Sequence, residues 1–185
     1  GNWRETVLPK AQAIRDELVA QGVRVMLDAR DTQTPGWKFN EWELRGVPLR
    51  MELGPRDLDK NQCVLVRRDT RAKQTASLES VGEDIEALLE TIQDDMVIAA
   101  RERREKNSHR GPITYDRFRQ LMDAEGGFVY AGWCGDHACE TAVKEDTKAT
   151  IRVMPDEEFR SAEAPRTCLR CGRPATTEAV WAKAY

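Results

Sequence analysis

The sequence predicts an α/β chain in two parts. Residues 1–106 read as a sheet flanked by helices, and residues 107–185 as a smaller α+β domain stapled by a metal. Three observations carry this. Helical and strand periodicities alternate through the first part. A long amphipathic run from residue 81 ends at the breaker Asn107-Ser108-His109-Arg110-Gly111-Pro112. Four of the five cysteines fall into two short clusters near the C-terminal end.

Residues 3–20 carry Val7, Leu8, Ala11, Ile14 and Leu18 at helical spacing. Asn2 with Glu5 has the form of a capping box, and Pro9 argues for a helix that properly begins near it. Gly22 ends this helix, and Val23, Val25 and Leu27 alternate with polar residues as a short strand would. Thr34-Pro35-Gly36 opens a second helix that Gly46 stops. Its Trp37, Phe39 and Trp42 exceed what one core face needs, so some are expected in the core and one exposed for stacking. Val47–Leu53 alternates as a strand, Gly54-Pro55-Arg56-Asp57 is a turn, and 62–68 and 73–78 are further strands. Ser80 and Glu83 form a second capping-box pattern before the helix with Ile85, Leu88, Leu89, Ile92, Met96 and Ala99 on one face.

Beyond the breaker, 114–124 reads as a helix with Phe118, Leu121 and Met122 inward. Residues 128–133 read as a strand, 138–147 as a helix, 150–154 as a strand, 155–166 as a loop and 179–185 as a final strand. The cysteines stand as C-x4-C at Cys134 and Cys139, then C-x2-C at Cys168 and Cys171. Two thiolate pairs on tight turns supply the four sulfurs of a closed, structural Zn²⁺ site, with no open position for catalysis. Gly135 and Gly172 suit turns that fold around a metal. Two disulfides or four free thiols are the alternatives, and His137 could stand in for one sulfur. Cys63 reads as a buried thiol in a strand.

Charged residues make up 33% of the chain and no apolar run approaches the roughly 20 residues that span a bilayer, so a soluble, cytoplasmic protein is expected, with no membrane partner. No signal-peptide core follows Gly1, and a glycine where methionine would stand reads as a remnant of cloning. The net charge of −3 argues weakly against nucleic acid, yet Arg67, Arg68, Arg71 and Lys73 form one local basic cluster and residues 101–110 another. Either cluster is ordinarily a solvated face. With two histidines, neither beside a nucleophile, and no phosphate-cradling glycine motif, nothing forms a reaction centre.

The run T-P-G-W-K-F-N-E-W-E-L-R-G-V-P-L-R-M-E-L-G-P-R-D at Thr34–Asp57 resembles the anticodon-binding domain of class II prolyl-tRNA synthetases of the archaeal/eukaryote-like type. The cysteine pairs, K-E-D-T-K-A-T-I-R-V-M-P at 144–155 and the terminal W-A-K-A-Y resemble that family's zinc-binding C-terminal domain. The long motif separates this family from its sisters for threonine, glycine and histidine. The resemblance implies a mixed sheet flanked by helices, and a role in the ATP-dependent joining of proline to its tRNA. It places the reading of the two anticodon guanines on Phe39, Glu43, Arg50, Arg56 and Asp57, with Lys73 a weaker carry-over. The residue chemistry agrees: an aromatic ring stacks on an unpaired base, a carboxylate accepts from guanine N1–H and N2–H₂, and arginine donates to O6 and N7. The alternative for Glu43, Arg50 and Arg56 is surface ion pairing.

The family's catalytic domain, which carries ATP and Mg²⁺ and makes the homodimer, is expected to be absent from this chain, as is the first apolar strand of the anticodon domain. Such a sheet would expose an edge. Tyr185 falls where some family members send a C-terminal carboxylate into the catalytic domain. A different function remains open at this point: a stand-alone zinc-stapled module that docks a protein partner.

Overall fold

The computed structural model describes residues 2–124 and 126–184. The expectation for Tyr185 lies outside them. Two compact units, Gly1–Ala99 and Ala100–Tyr185, are taken separately below.

In the first unit, α1 (Trp3–Ala20) buries Val7, Ile14 and Leu18 on one stripe. It starts at Trp3 and runs through Pro9. Pro9 is the seventh helical residue and has no N–H, so the carbonyl of Glu5 goes without its i+4 partner. Asn2 makes no side-chain cap, so the expected capping box does not form. α2 (Pro35–Leu44) is capped as its sequence requires, with Thr34 Oγ1 accepting from Trp37 N. No residue of α2 is fully buried, so its three aromatics are not core residues as expected. Then follow β1 (Leu49–Glu52), α3 (Pro55–Leu58), β2 (Gln62–Arg67) and β3 (Lys73–Ser77). The predicted turn at 54–57 is the start of α3, where Asp57 Oδ2 accepts from Gly54 N at 2.9 Å. α4 (Val81–Lys106) follows; Ser80 Oγ donates to Asp84 Oδ2 at 2.9 Å in place of the expected pairing with Glu83.

β1, β2 and β3 form an antiparallel meander. Its period of 2 gives the sheet two unlike faces. Leu49, Met51, Cys63, Leu65 and Ala76 join Ile14 and Leu18 of α1 and Val81 and Ile85 of α4 in one apolar core. Arg50, Glu52, Val64, Val66, Lys73 and Thr75 occupy the alternate positions. Val23 and Val25 pack on the core, but 23–27 has no ladder partner and is not the expected strand. Alternation buries one face of such a segment; a strand also needs a neighbour for its backbone groups.

The second unit has a sheet in the order β4-β5-β7-β6, built from β4 (Ser108–His109), β5 (Phe128–Trp133), β6 (Ala149–Val153) and β7 (Thr177–Lys183). β4 pairs parallel to β5, and the other ladders are antiparallel. β4 lies in the segment read as a breaker; two residues are too few to show periodicity. α5 (Tyr115–Asp123) and α6 (His137–Thr147) supply Phe118, Leu121, Met122 and Val143 to a core with Val129, Ala131, Ala149, Ala179 and Trp181. Phe118 and Trp181 meet edge to face with centroids 6.3 Å apart. No helix among the described residues is long and apolar enough to cross a membrane.

Candidate anticodon-reading face and metal centre

One turn of α2 separates Phe39 from Glu43, which puts both on the same helix face. Arg50 projects from β1 on the polar side of the sheet and joins them. Its guanidinium lies 4.0 Å from the centroid of the Phe39 ring, donates to Glu43 Oε1 at 2.8 Å and reaches Glu52 Oε1 at 3.0 Å. Lys73 Nζ is 3.9 Å from Glu52, and Arg71 Nη2 is 3.5 Å from Glu43. Phe39, Trp42, Glu43, Val47, Arg50, Val66 and Arg68 line a small pocket at this place. Arg68 Nε is shut off from solvent and has no hydrogen-bond partner. Four cations (Arg50, Arg68, Arg71, Lys73) against two carboxylates (Glu43, Glu52) leave the face locally positive on a chain of net charge −3. A positive groove with an aromatic platform suits an unpaired base on its phosphate backbone.

Four of the six residues singled out by sequence are thus brought together: Phe39, Glu43, Arg50 and Lys73. Arg56 is exposed on α3 and makes none of these ion pairs, and Asp57 is engaged with the backbone of Gly54. Glu52, Arg68 and Arg71 were not singled out as site residues. Alternation from Arg50 points to Glu52, and the basic cluster at 67–73 contained both arginines. The sheet divides that cluster: Arg67 pairs with Asp69 and Asp95 at 2.6 and 2.7 Å, whereas Arg68 lines the pocket. Behind α2, Arg30 and Trp42 Nε1 both donate to Asp28, and Arg30 also bridges to Glu41. These bonds, Arg30 foremost, hold the Asp28 carboxyl well below the usual carboxylate range. They tie the helix bearing Phe39 and Glu43 to the loop before it.

The cluster at 101–110 behaves differently. Arg104 covers Phe159, and Arg110 lies 3.6 Å from the centroid of Tyr130 while donating to Phe159 O at 3.0 Å. Those two cations serve packing within the second unit.

The cysteines meet at the end of β5. Cys134 follows that strand, and Gly135 takes a positive φ of 82°. Asp136 caps α6 through Ala138 N, so Cys139 falls in the helix's first turn. Gly132 O accepts from Leu169 N at 2.8 Å and fastens the second pair alongside. A Cβ on Gly132 would stand 2.3 Å from Thr167 O, so only glycine permits this approach. Cys168 O accepts from Gly172 N at 3.0 Å, closing the second turn. All four sulfurs lie within 4.8 Å of one another, with Cys134–Cys139 at 3.7 Å and Cys134–Cys171 at 3.8 Å. A tetrahedron of metal–sulfur bonds about 2.3 Å long has edges of about 3.8 Å. The same separations exceed the roughly 2.05 Å of a disulfide, and all five cysteines are free. The four sulfurs can therefore hold a metal ion. His137 is not among them: it is exposed, with Nδ1 3.7 Å from Glu140.

Arg173 lies against the sulfurs. It donates to Cys171 Sγ at 3.3 Å and Cys134 Sγ at 3.6 Å, and pairs with Asp136 at 2.6 Å. Its hydrogen bond brings the Cys171 thiol down to about 6, while burial pushes Cys139 up to about 12. Metal loading at neutral pH therefore displaces the proton of Cys139.

Comparison with known proteins finds a matching family in each unit. Residues 1–88 match the family described as anticodon binding domain. With its helices on a sheet and its charged face, the first unit is an anticodon-binding domain of the class II synthetase kind. Residues 115–185 match the family described as prolyl-tRNA synthetase, C-terminal. The chain belongs to the prolyl-tRNA synthetase family. It is 45% identical over 179 residues to a proline–tRNA ligase of Lachnospira eligens, covering 97% of this chain and 36% of the relative. A proline–tRNA ligase of Symbiobacterium thermophilum is 46% identical over 189 residues, covering 99% and 38%. One of Acetoanaerobium sticklandii is 42% identical over 182 residues, covering 98% and 37%. The chain thus spans little more than a third of the curated relatives it matches.

Proposed function

We propose that this chain is the tRNA-recognition part of a proline–tRNA ligase. Residues 1–106 grip the anticodon loop of proline tRNA, and residues 107–185 form a zinc-stapled companion domain. The observation that carries the reading is the convergence of Phe39, Glu43 and Arg50, with Lys73 nearby, on one polar sheet face. Phe39 offers the stacking platform, Glu43 an acceptor for the guanine N1 and N2 edge, and Arg50 and Lys73 donors to base or backbone. Arg56 and Asp57 join from α3, Arg56 by reaching the loop from its exposed position and Asp57 through its second carboxylate oxygen.

Cys134, Cys139, Cys168 and Cys171 hold Zn²⁺ in a purely structural role, for which sulfur donors on tight turns are suited. The ligase works in the cytoplasm as a homodimer, with ATP and Mg²⁺ bound by its catalytic part. Binding to transcripts of proline tRNA, native and with each anticodon guanine replaced, tests the reading. The native transcript should bind at least about tenfold more tightly than the doubly replaced one. Equal affinity for all would refute guanine reading.

A further inference from the structure

The guanidinium of Arg50 is held in a particular way. It lies over the Phe39 ring, 4.0 Å from the centroid, while Nη1 donates to Glu43 at 2.8 Å and Nε to Glu52 at 3.0 Å. A planar, delocalised group with adjacent N–H donors, lying over an aromatic ring and donating to carboxylates, is also a description of a bound guanine. The N1–H and N2–H₂ edge of that base carries the same donor pattern as a guanidinium fork. Phe39, Glu43 and Glu52 therefore form a cradle for a planar multi-donor edge, and the chain's own arginine fills it.

The Arg50, Glu43 and Glu52 side chains keep only 19%, 21% and 25% of their exposure, so the cradle is partly desolvated while it stays open to exchange. An independent observation marks the same pocket as incomplete. Arg68 Nε lines it, sealed from water and bonded to nothing, and such a donor is costly to leave unmade.

The geometry points to Glu52 as a further specificity residue: with Glu43 it accepts from the N1–H and N2–H₂ edge of a guanine that takes the place Arg50 fills in the free protein. The displaced Arg50 is then free to donate to O6 and N7 of the same base, its two carboxylates having gained a substitute partner. The inference rests on the proposed anticodon reading. It adds to that reading a second carboxylate and an exchange of one planar donor for another.

The test is a cycle between protein and RNA. The anticodon stem-loop of proline tRNA is prepared with guanine or with inosine, which lacks the N2 amino group, at each guanine position. Affinities are measured for the unaltered chain, Glu52→Gln and Glu43→Ala, with thermal midpoints recorded for all. The unaltered chain should prefer guanine over inosine at one position by about fivefold or more, and Glu52→Gln should erase that preference. If Glu52→Gln retains the full preference while Glu43→Ala weakens binding, Glu52 is not a reader and the anticodon proposal stands without it. If neither substitution, nor Phe39→Ala, changes affinity, the anticodon reading at this face fails and the inference with it.

A second measurement needs no change at Glu52. The Arg50 Nε–H resonance, assigned by its loss in Arg50→Lys, should shift on saturation with the guanine stem-loop. An unmoved resonance at saturation would overturn the exchange, whatever the cycle shows.

Discussion

The reading face of the first unit and the cysteine centre of the second solve opposite problems. On the proposed reading face, Glu43, Arg50, Glu52, Arg71 and Lys73 are half-buried or exposed and held by ion pairs, each worth about 0–1 kcal/mol. The apolar core lies on the other side of the sheet, with Cys63 and Leu65 fully buried. The proposed recognition face and the apolar core thus lie on opposite sides of the same strands. In the second unit, Cys139 and Cys168 are themselves buried and Gly132 fastens the two knuckles together, so the site is part of what holds the unit in shape. Where chemistry sits on a face, it can be altered without loss of fold; where it closes two turns, it cannot.

The largest effect that would test this contrast is loss of the metal. Cys134→Ser or Cys171→Ser, or a strong chelator, should unfold residues 107–185, since structural zinc sites contribute about 10–16 kcal/mol of binding free energy to folding. Residues 1–99 should keep their amide exchange protection, and Cys63→Ser should leave the metal content unchanged. Metal analysis finding no zinc in the folded chain, with all four thiols freely titratable, would remove the basis for the comparison.

Gly132→Ala should come next. Its Cβ meets backbone rather than a flexible side chain, so the knuckles must part, at a cost of about 2–4 kcal/mol. Lowered zinc affinity together with a lowered midpoint of the second unit is the expected result. Phe39→Ala should behave in the opposite way. RNA affinity should fall about tenfold, the scale of one lost base–aromatic stack, while the thermal midpoint of the first unit stays nearly where it was. A large fall in that midpoint would show that recognition and stability are not separated on this sheet.

The smallest effect concerns acid. Asp28, held below its ordinary range by Arg30, contributes stability that is fully present above the unfolded value of about 3.9 and is lost as pH falls through its lower folded value. Asp28→Asn should destabilise the first unit by about 1–2 kcal/mol at pH 7. Relative to the unaltered chain, the deficit should shrink below pH 4. Thermal midpoints measured from pH 7 down to pH 2 check both parts, and a deficit independent of pH would assign the loss to packing of Trp42 instead.

Much of the architecture was legible because periodicity is local. The stripe of Val7, Ile14 and Leu18, the Thr34-Pro35 start and the alternation of 49–53 each report a face or a cap within a few residues. The misreadings share a cause. Whether 23–27 is a strand depends on a neighbour, whether Asn2 or Ser80 caps depends on which partner wins its side chain, and whether Trp37, Phe39 or Trp42 is core depends on what packs over α2. None of these is a property of the segment itself.

The same division runs through the two sites. Residue types and spacing by themselves determined that the cysteines fall into two pairs on tight turns, and that Phe39 and Glu43 share a helix face, because a tight turn and a 3.6-residue period are local geometry. Only the tertiary structure decided that Arg67 pairs with Asp95 of α4 while Arg68 lines the pocket beside α2, and that Arg50 of β1 meets Glu43 of α2. Those outcomes depend on where the sheet lies beneath α2, and electrostatic and stacking contacts act over only a few ångströms, so they are settled by packing and not by the order of residues.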